Sequence, residues 1–261
     1  TQLQLILTPE QAERPELIQK KVAEKLEISV QQITRLRTLK KSIDARSYQP
    51  KINISVEVYV DEVAPENHYE AFNYPFVGDK EPVLVIGAGP AGLFAALKLI
   101  EQGLKPIVLE RGKKASDRKH DIAQLNLNKG FNPESNYCFG EGGAGTFSDG
   151  KLYSRSKKKG NLQRIYEIFH YHGAAEDILF EAHPHIGSDK LPLIVENISK
   201  TITNCGGEIH FEQKLNEIII ENNCVKGCKT EGGETFVANS LILATGHSAR
   251  DIFELLHKKE I

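Results

Sequence analysis

Methionine is absent from all 261 residues, position 1 included, so the chain reads as processed, engineered or incompletely recorded. Cysteine is scarce. The four present, Cys138, Cys205, Cys224 and Cys228, are too few and too scattered for a disulfide scaffold, and point to a reducing, cytoplasmic compartment. No apolar run reaches the roughly 18 to 20 residues that a membrane span needs, and the N-terminus lacks the basic-then-apolar pattern of a secretory signal. A membrane partner is therefore not expected. An excess of charge of either sign is also missing. Lys and Arg number 33 against 35 Asp and Glu, a formal net charge of −2, which gives no electrostatic reason for nucleic acid to be a principal partner. What remains is an ordinary globular composition, 40% hydrophobic and 26% charged, with enough chain for one large domain or two smaller ones.

The pattern along the chain predicts an α/β protein in two parts: a small α+β domain with its linker over 1–75, then a dinucleotide-binding domain over 76–261. In the first part, Leu3 to Leu7 reads as a short strand and Pro9 to Leu26 as one amphipathic helix. A basic stretch, Arg35 to Lys41, follows. Ile52 to Val58 then alternates apolar and polar as a half-buried strand. Pro65, Pro75 and Gly78 punctuate the linker. From Pro82 the character changes. Val83-Leu84-Val85-Ile86 is a continuous apolar run, as in a strand buried on both faces of a parallel sheet. A helix from Pro90 to Gln102 and a second strand from Pro106 complete a βαβ unit of about 30 residues. Residues 111–160 show little periodicity and form a long insertion. Helices are predicted over Leu162–Tyr171 and Pro192–Asn204, strands at Glu208–Phe211 and Leu215–Glu221, and a hairpin from Cys224 to Val237. A last strand, Ser240 to Ala244, runs into Thr245-Gly246.

Gly87-Ala88-Gly89-Pro90-Ala91-Gly92 sits between the first buried strand and its helix. Glycine triplets are common, but this context gives each one a task. Gly87 permits the tight turn, Gly89 lets a pyrophosphate approach the backbone, and Gly92 lets the helix pack on the strands. The first-turn N–H groups and the helix dipole then face the phosphates, and Pro90 suits the first turn, where its missing donor costs nothing. Glu110, at the tip of the next strand and followed by Arg111, is placed to accept the ribose hydroxyls and to repel a 2′-phosphate, which argues against NADP here.

Whether the dinucleotide is FAD or NAD is decided by other segments. A long insertion after Glu110-Arg111-Gly112, then a hairpin leading into Leu241-Ile242-Leu243-Ala244-Thr245-Gly246, resembles the flavoproteins with two dinucleotide-binding domains of the glutathione-reductase type. That resemblance implies FAD, with Ala244, Thr245 and Gly246 beneath the cofactor and Leu215 where the backbone meets adenine. A second glycine-rich segment runs from Asn136 to Leu152 and includes Gly143, Ala144, Gly145, Thr146, Ser148, Gly150 and Lys151. Its backbone donors suit an anion or a flavin edge. Together with His183-Pro184-His185-Ile186-Gly187 and Gly246-His247-Ser248-Ala249-Arg250-Asp251, it resembles bacterial proteins described as FAD- or NAD-utilising dehydrogenases. The resemblance covers most of the chain, including Lys41 to Arg46. It implies FAD as cofactor and fixes neither the small-molecule substrate nor the reaction; NAD(P)H is a candidate transient electron donor, bound elsewhere than this motif. Such proteins continue past the Ala-Thr-Gly segment to a late Gly-Asp, so this chain, ending at Ile261, reads as an N-terminal fragment.

Four side chains have catalytic chemistry without a fixed role. Lys151 could stabilise negative charge on a reduced flavin, and His183, His185 and His247 titrate near neutrality. His183 and His185 lack a third ligand for metal, and none is expected. The bland reading of each is a loop residue, and that of Lys157-Lys158-Lys159 a solvated face. The sequence therefore predicts an FAD-dependent oxidoreductase. An NAD-dependent dehydrogenase using the same motif and a flavin- or nucleotide-binding module without turnover are the alternatives. Arg35, Arg37, Lys40 and Lys41 raise a polyanion-binding module as a minor one.

Overall fold

The computed structural model describes residues 1–65, 72–152 and 160–261; the Lys157 to Lys159 cluster and part of the linker lie outside them. The chain divides into two compact units, each discontinuous in sequence: 1–71 with 151–186, and 72–150 with 187–261. Residues 151–186 thus group with the N-terminal part instead of with the dinucleotide-binding part predicted from residue 76 onward.

The first unit is an antiparallel sheet in the order β1-β3-β2, built from β1 (Gln2–Leu7), β2 (Ile33–Asp44) and β3 (Lys51–Val60). Leu5, Leu7, Ile54, Val56 and Val58 line one face and bury against Ile18 and Val22. Each such apolar side chain taken from water contributes about 1.5–3 kcal/mol. Those two residues belong to α2 (Pro15–Leu26), which follows a short α1 (Pro9–Glu13). The single helix predicted over Pro9 to Leu26 is therefore two. Arg14 is extended, at φ −112° and ψ 105°, because the ring of Pro15 disfavours the helical region for the residue before it. The basic stretch Arg35 to Lys41 lies inside β2, which carries a bulge between Thr38 and Lys40. Lys41 continues the pairing outward: its N–H donates to the carbonyl of Phe180 at 2.8 Å, and its carbonyl accepts from Ala182 N–H at 2.9 Å. Glu181 ion-pairs with the Lys41 ammonium at 2.9 Å. In the same unit, α5 (Leu162–Tyr171) follows the sequence expectation, with Asn161 capping its first turn.

The second unit carries a fully parallel sheet in the order β10-β4-β5-β6, from β4 (Pro82–Ile86), β5 (Lys105–Leu109), β6 (Glu208–His210) and β10 (Leu241–Leu243). The helix α3 (Pro90–Glu101) joins β4 to β5 and packs on both, with α6 (Leu191–Asn204) beside it. On the other face lies an antiparallel sheet of β7 (Leu215–Glu221), β8 (Cys224–Thr230) and β9 (Thr235–Val237). The predicted hairpin is thus the second and third strands of a meander. Leu84, Ile86 and Leu109 interleave with Leu215, Ile218, Cys228 and Ile252 in that interface, the last from α7 (Arg250–Lys258). Within the predicted irregular insertion, Ala115–Asn126 forms a helix, α4. Its buried residues are Ala115, Arg118 and Ile122, an i, i+3, i+7 face that an arginine keeps from reading as apolar. The architecture is α/β with a Rossmann-like parallel sheet, and the first unit supplies the small antiparallel domain.

Candidate dinucleotide site

The site begins where β4 ends. Gly87 turns the chain at φ +107°, a region open to glycine and strained for other residues. A Cβ there would also meet the Ala244 carbonyl oxygen at 2.6 Å. Gly89 is the N-cap of α3, and Pro90 opens the helix. Neither can offer a capping side chain, and none caps this helix. The first-turn N–H groups of Ala91 and Gly92 have no intrahelical acceptor, and the dipole makes this end favourable to anions.

Three further segments close around the turn. The loop from Gly140 to Gly145 lies directly against it: Gly142 N–H donates to the Ala88 carbonyl at 2.7 Å, and Gly143 Cα stands 3.9 Å from where a Cβ on Gly89 would be. Gly143 to Gly145 form a single 3-10 turn, which brings backbone and no side chain larger than the Ala144 methyl to the cavity wall. From the sheet side, Ala244 N–H donates to the Ile86 carbonyl at 2.8 Å, and Gly246 turns the chain away at φ +72°. Helix α7 completes the far wall with Ile252, Phe253 and Leu256.

The cavity is about 590 Å³, within the range of small-molecule sites. Of the residues expected at the cofactor, Gly87, Gly89, Pro90, Ala91, Glu110 and Arg111 line it from the βαβ unit. Gly143, Ala144 and Gly145 line it from the glycine-rich loop, and Leu215, Ala244, Thr245 and Gly246 from the strands. Gly92, Thr146, Ser148, Gly150 and Lys151 do not. Gly92 lies under the turn, where a Cβ would meet the Gly87 carbonyl oxygen at 1.8 Å. The buried Thr146 hydroxyl donates to the Glu141 carbonyl at 2.8 Å, and the Ser148 hydroxyl accepts from Gly150 N–H at 3.2 Å. Of the catalytic candidates, His247 lines the cavity. Lys151, His183 and His185 belong to the other unit and do not line it.

Glu110 is only 4% exposed, and its carboxylate already holds the backbone together. It accepts from Ala88 N–H at 2.7 Å and from the N–H groups of Gly112 and Gly140, each at 2.9 Å. With about four lone-pair sites on a carboxylate, one is left for a ribose hydroxyl. Arg111 is committed as well. Its guanidinium makes a two-pronged pair with Asp251 of α7 at 3.0 and 2.7 Å, reaches Glu134 at 3.4 Å, and lies 4.4 Å over the Phe139 ring.

Sequence reasoning missed two buried charges beside the site. Arg118, 1% exposed, donates into the glycine-rich loop, and burial lowers its pKa to about 10, partly offset by the nearby Glu110 and Glu141 carboxylates. Glu141, 3% exposed, accepts from Ala115 N–H and from the Ser199 hydroxyl, both at 2.6 Å. Charged residues at buried positions give no apolar period; the available signal for Arg118 was its helical spacing with Ala115 and Ile122, and Glu141 offered none.

The cysteines divide by exposure. None of the four is paired; Cys138 and Cys224 are exposed, Cys205 is intermediate and Cys228 is buried. Burial pushes the Cys228 thiol up to about 11 and raises that of Cys205. A thiol-alkylating reagent at neutral pH is expected to modify Cys138 and Cys224 rapidly, with Cys205 and Cys228 following only on unfolding. Peptide mass spectrometry across a time course checks this, and fast labelling of Cys228 would contradict the packing of β8.

A parallel sheet, a glycine turn opening an uncapped helix, and a cavity over that turn define a Rossmann-type dinucleotide-binding domain. Residues 81–258 match the pyridine nucleotide-disulphide oxidoreductase family, and the chain belongs to that family. Residues 1–59 match a domain of unknown function, DUF8436. The chain is 35% identical over 260 residues to an uncharacterized protein of Clostridium beijerinckii, covering 94% of this chain and 48% of that protein. It therefore spans about half the length of the curated relative it matches. Among solved structures, a ferredoxin reductase from Rhodopseudomonas palustris is 18% identical, with 64% of this chain and 24% of that one covered and a TM-score of 0.31. A thioredoxin reductase from Lactococcus lactis is 17% identical, with 64% and 36% covered and a TM-score of 0.35. Among the described residues, no helix is long and apolar enough to cross a membrane.

Proposed function

We propose that this chain binds FAD through its adenosine diphosphate half and belongs to an FAD-dependent dehydrogenase, with NAD(P)H as transient donor and a small-molecule substrate. One observation carries the reading. The space over Gly89 is left open by the protein, with nothing closer to a Cβ there than Gly143 Cα at 3.9 Å, and the uncapped first turn of α3 faces an anion across it. The residues present fit a dinucleotide: the turn cradles the pyrophosphate, Glu110 offers its remaining acceptor to the ribose, and Leu215 meets the adenine. When bound, the flavin supplies hydride-transfer chemistry, and the protein supplies position and electrostatics. Family membership supports the oxidoreductase class. The four unpaired cysteines and the absence of a Cys-x-x-Cys spacing favour a small-molecule electron acceptor over a dithiol within this chain.

The test is the visible absorption spectrum of the purified chain before and after adding excess FAD and removing what stays free. Retained flavin bands support the reading. Exclusion of FAD while NADH protects the chain from unfolding would instead favour an NAD-dependent dehydrogenase. Retained flavin that neither NADH nor NADPH reduces would favour a binding module without turnover.

A further inference from the structure

We propose that Arg118 is the positioning residue of the cofactor cradle, its buried guanidinium holding the glycine-rich loop in the shape that meets the dinucleotide phosphates. The inference rests on the dinucleotide reading above and goes beyond it to a residue that does not line the cavity. The guanidinium makes five contacts, all into one short loop. Nε donates to the Asn136 carbonyl at 2.8 Å. One terminal nitrogen donates to the Glu141 carbonyl at 2.8 Å and the Thr146 hydroxyl at 3.4 Å. The other donates to the carbonyls of Tyr137 at 3.1 Å and Gly143 at 2.8 Å. A guanidinium has five N–H donors in a fixed fork, so every donor is used and no carboxylate takes one.

That arrangement is costly unless the loop needs it. A charge this buried loses its hydration, and a salt bridge would recover more than carbonyls do. The carbonyls of Glu141 and Gly143 instead point inward at Arg118. The same loop then lies on the phosphate turn through Gly142 N–H to the Ala88 carbonyl at 2.7 Å. Gly140 shows how tightly this is built: at φ +115°, a Cβ there would meet Arg118 Cδ at 2.5 Å. The loop is otherwise glycine-rich and has little intrinsic preference for one shape. Arg118 removes that freedom before the cofactor arrives, so binding does not have to. Lysine, a point charge with three donors, cannot reproduce the five-way fork.

The experiment measures FAD affinity by flavin fluorescence, the visible circular dichroism of the bound flavin, and the unfolding midpoint without FAD, for the full chain and for Arg118→Met, Arg118→Lys and Thr146→Val. Arg118→Met is expected to weaken FAD binding about tenfold or more, the loss of one to two net charge-assisted hydrogen bonds. Arg118→Lys is expected to recover part of it. At saturating FAD the flavin dichroism is expected to differ from wild type, a change that lowered stability alone does not produce. Arg118→Met that is folded, with wild-type affinity and dichroism, overturns the proposal. Where both Arg118 variants fail to fold, Thr146→Val decides: weaker FAD binding with an unshifted midpoint supports the proposal, and unchanged binding overturns it. A wild-type chain that binds no FAD removes the dinucleotide reading and this proposal with it, whereas wild-type binding with unaffected variants removes this proposal alone.

Discussion

A Gly92→Ala chain is expected to lose its folded dinucleotide-binding unit, while Gly89→Ala is expected to fold normally and fail to retain FAD. The two glycines lie in one turn but meet different surroundings. At Gly92 a single methyl would fall 1.8 Å from the Gly87 carbonyl oxygen and 3.4 Å from Val85 Cγ1. Relief requires α3 to move off β4, opening a core in which Leu93, Ala96, Leu97 and Ile100 are all buried. Overpacking usually costs about 1–3 kcal/mol, and a clash with backbone belongs at or beyond the upper end. Gly89 is at φ −73°, an ordinary angle for any residue, and a methyl there stays 3.9 Å from Gly143 Cα. On the proposed dinucleotide reading the methyl enters the place of the phosphates, and it clashes with no atom of the chain. Urea unfolding with and without FAD checks the pair. Equal loss of stability in both variants would mean that Gly89 is structural; FAD retained by Gly89→Ala would place the dinucleotide elsewhere.

The second large effect is expected at Glu110. Replacing it with glutamine keeps the shape but turns one acceptor into a donor facing backbone N–H groups. Three N–H groups converge on this carboxylate, from Ala88, Gly112 and Gly140. Hydrogen bonds to a charged group contribute about 1.5–3 kcal/mol each, and a buried donor left unpaired costs about 1–3 kcal/mol. Glu110→Gln is therefore expected to lower stability by about 3 kcal/mol and to abolish FAD retention with it. Glu110→Asp, too short to reach all three segments, is expected to fall between. A loss below about 0.5 kcal/mol, the range of ordinary surface changes, would show that the three contacts are dispensable.

The legible parts of this fold were those written in apolar side chains. Val83 to Ile86, the helix from Pro90, and α5 from Leu162 follow from buried runs and helical spacing, because their energetics come mainly from burial. The glycine turn was legible for a different reason, since Gly87 and Gly92 answer steric demands of the fold that no other residue meets. Lost to sequence reasoning was what depends on hydrogen bonds over distance. Glu110 was read as a ribose ligand from its place at a strand tip, and nothing in its neighbours announces three backbone donors arriving from separate segments. Arg118 was passed over because a buried charge looks, in a sequence, like a surface one. The grouping of 151–186 with the N-terminal residues was equally hidden, since contacts such as the pairing of Lys41 with Glu181 join positions with no shared pattern.

That last pairing has a consequence for synthesis on the ribosome. Strand β2 lies at the edge of its sheet, and residues 180–182, which pair with it at Lys41, emerge long after the rest of that sheet can close. During the interval the Lys41 end of that edge row is open to any extended chain nearby, the circumstance in which nascent proteins aggregate edge to edge. Arg35, Arg37, Lys40 and Lys41 lie along that row. Charge of one sign along a sheet edge disfavours pairing with a second copy of the same edge.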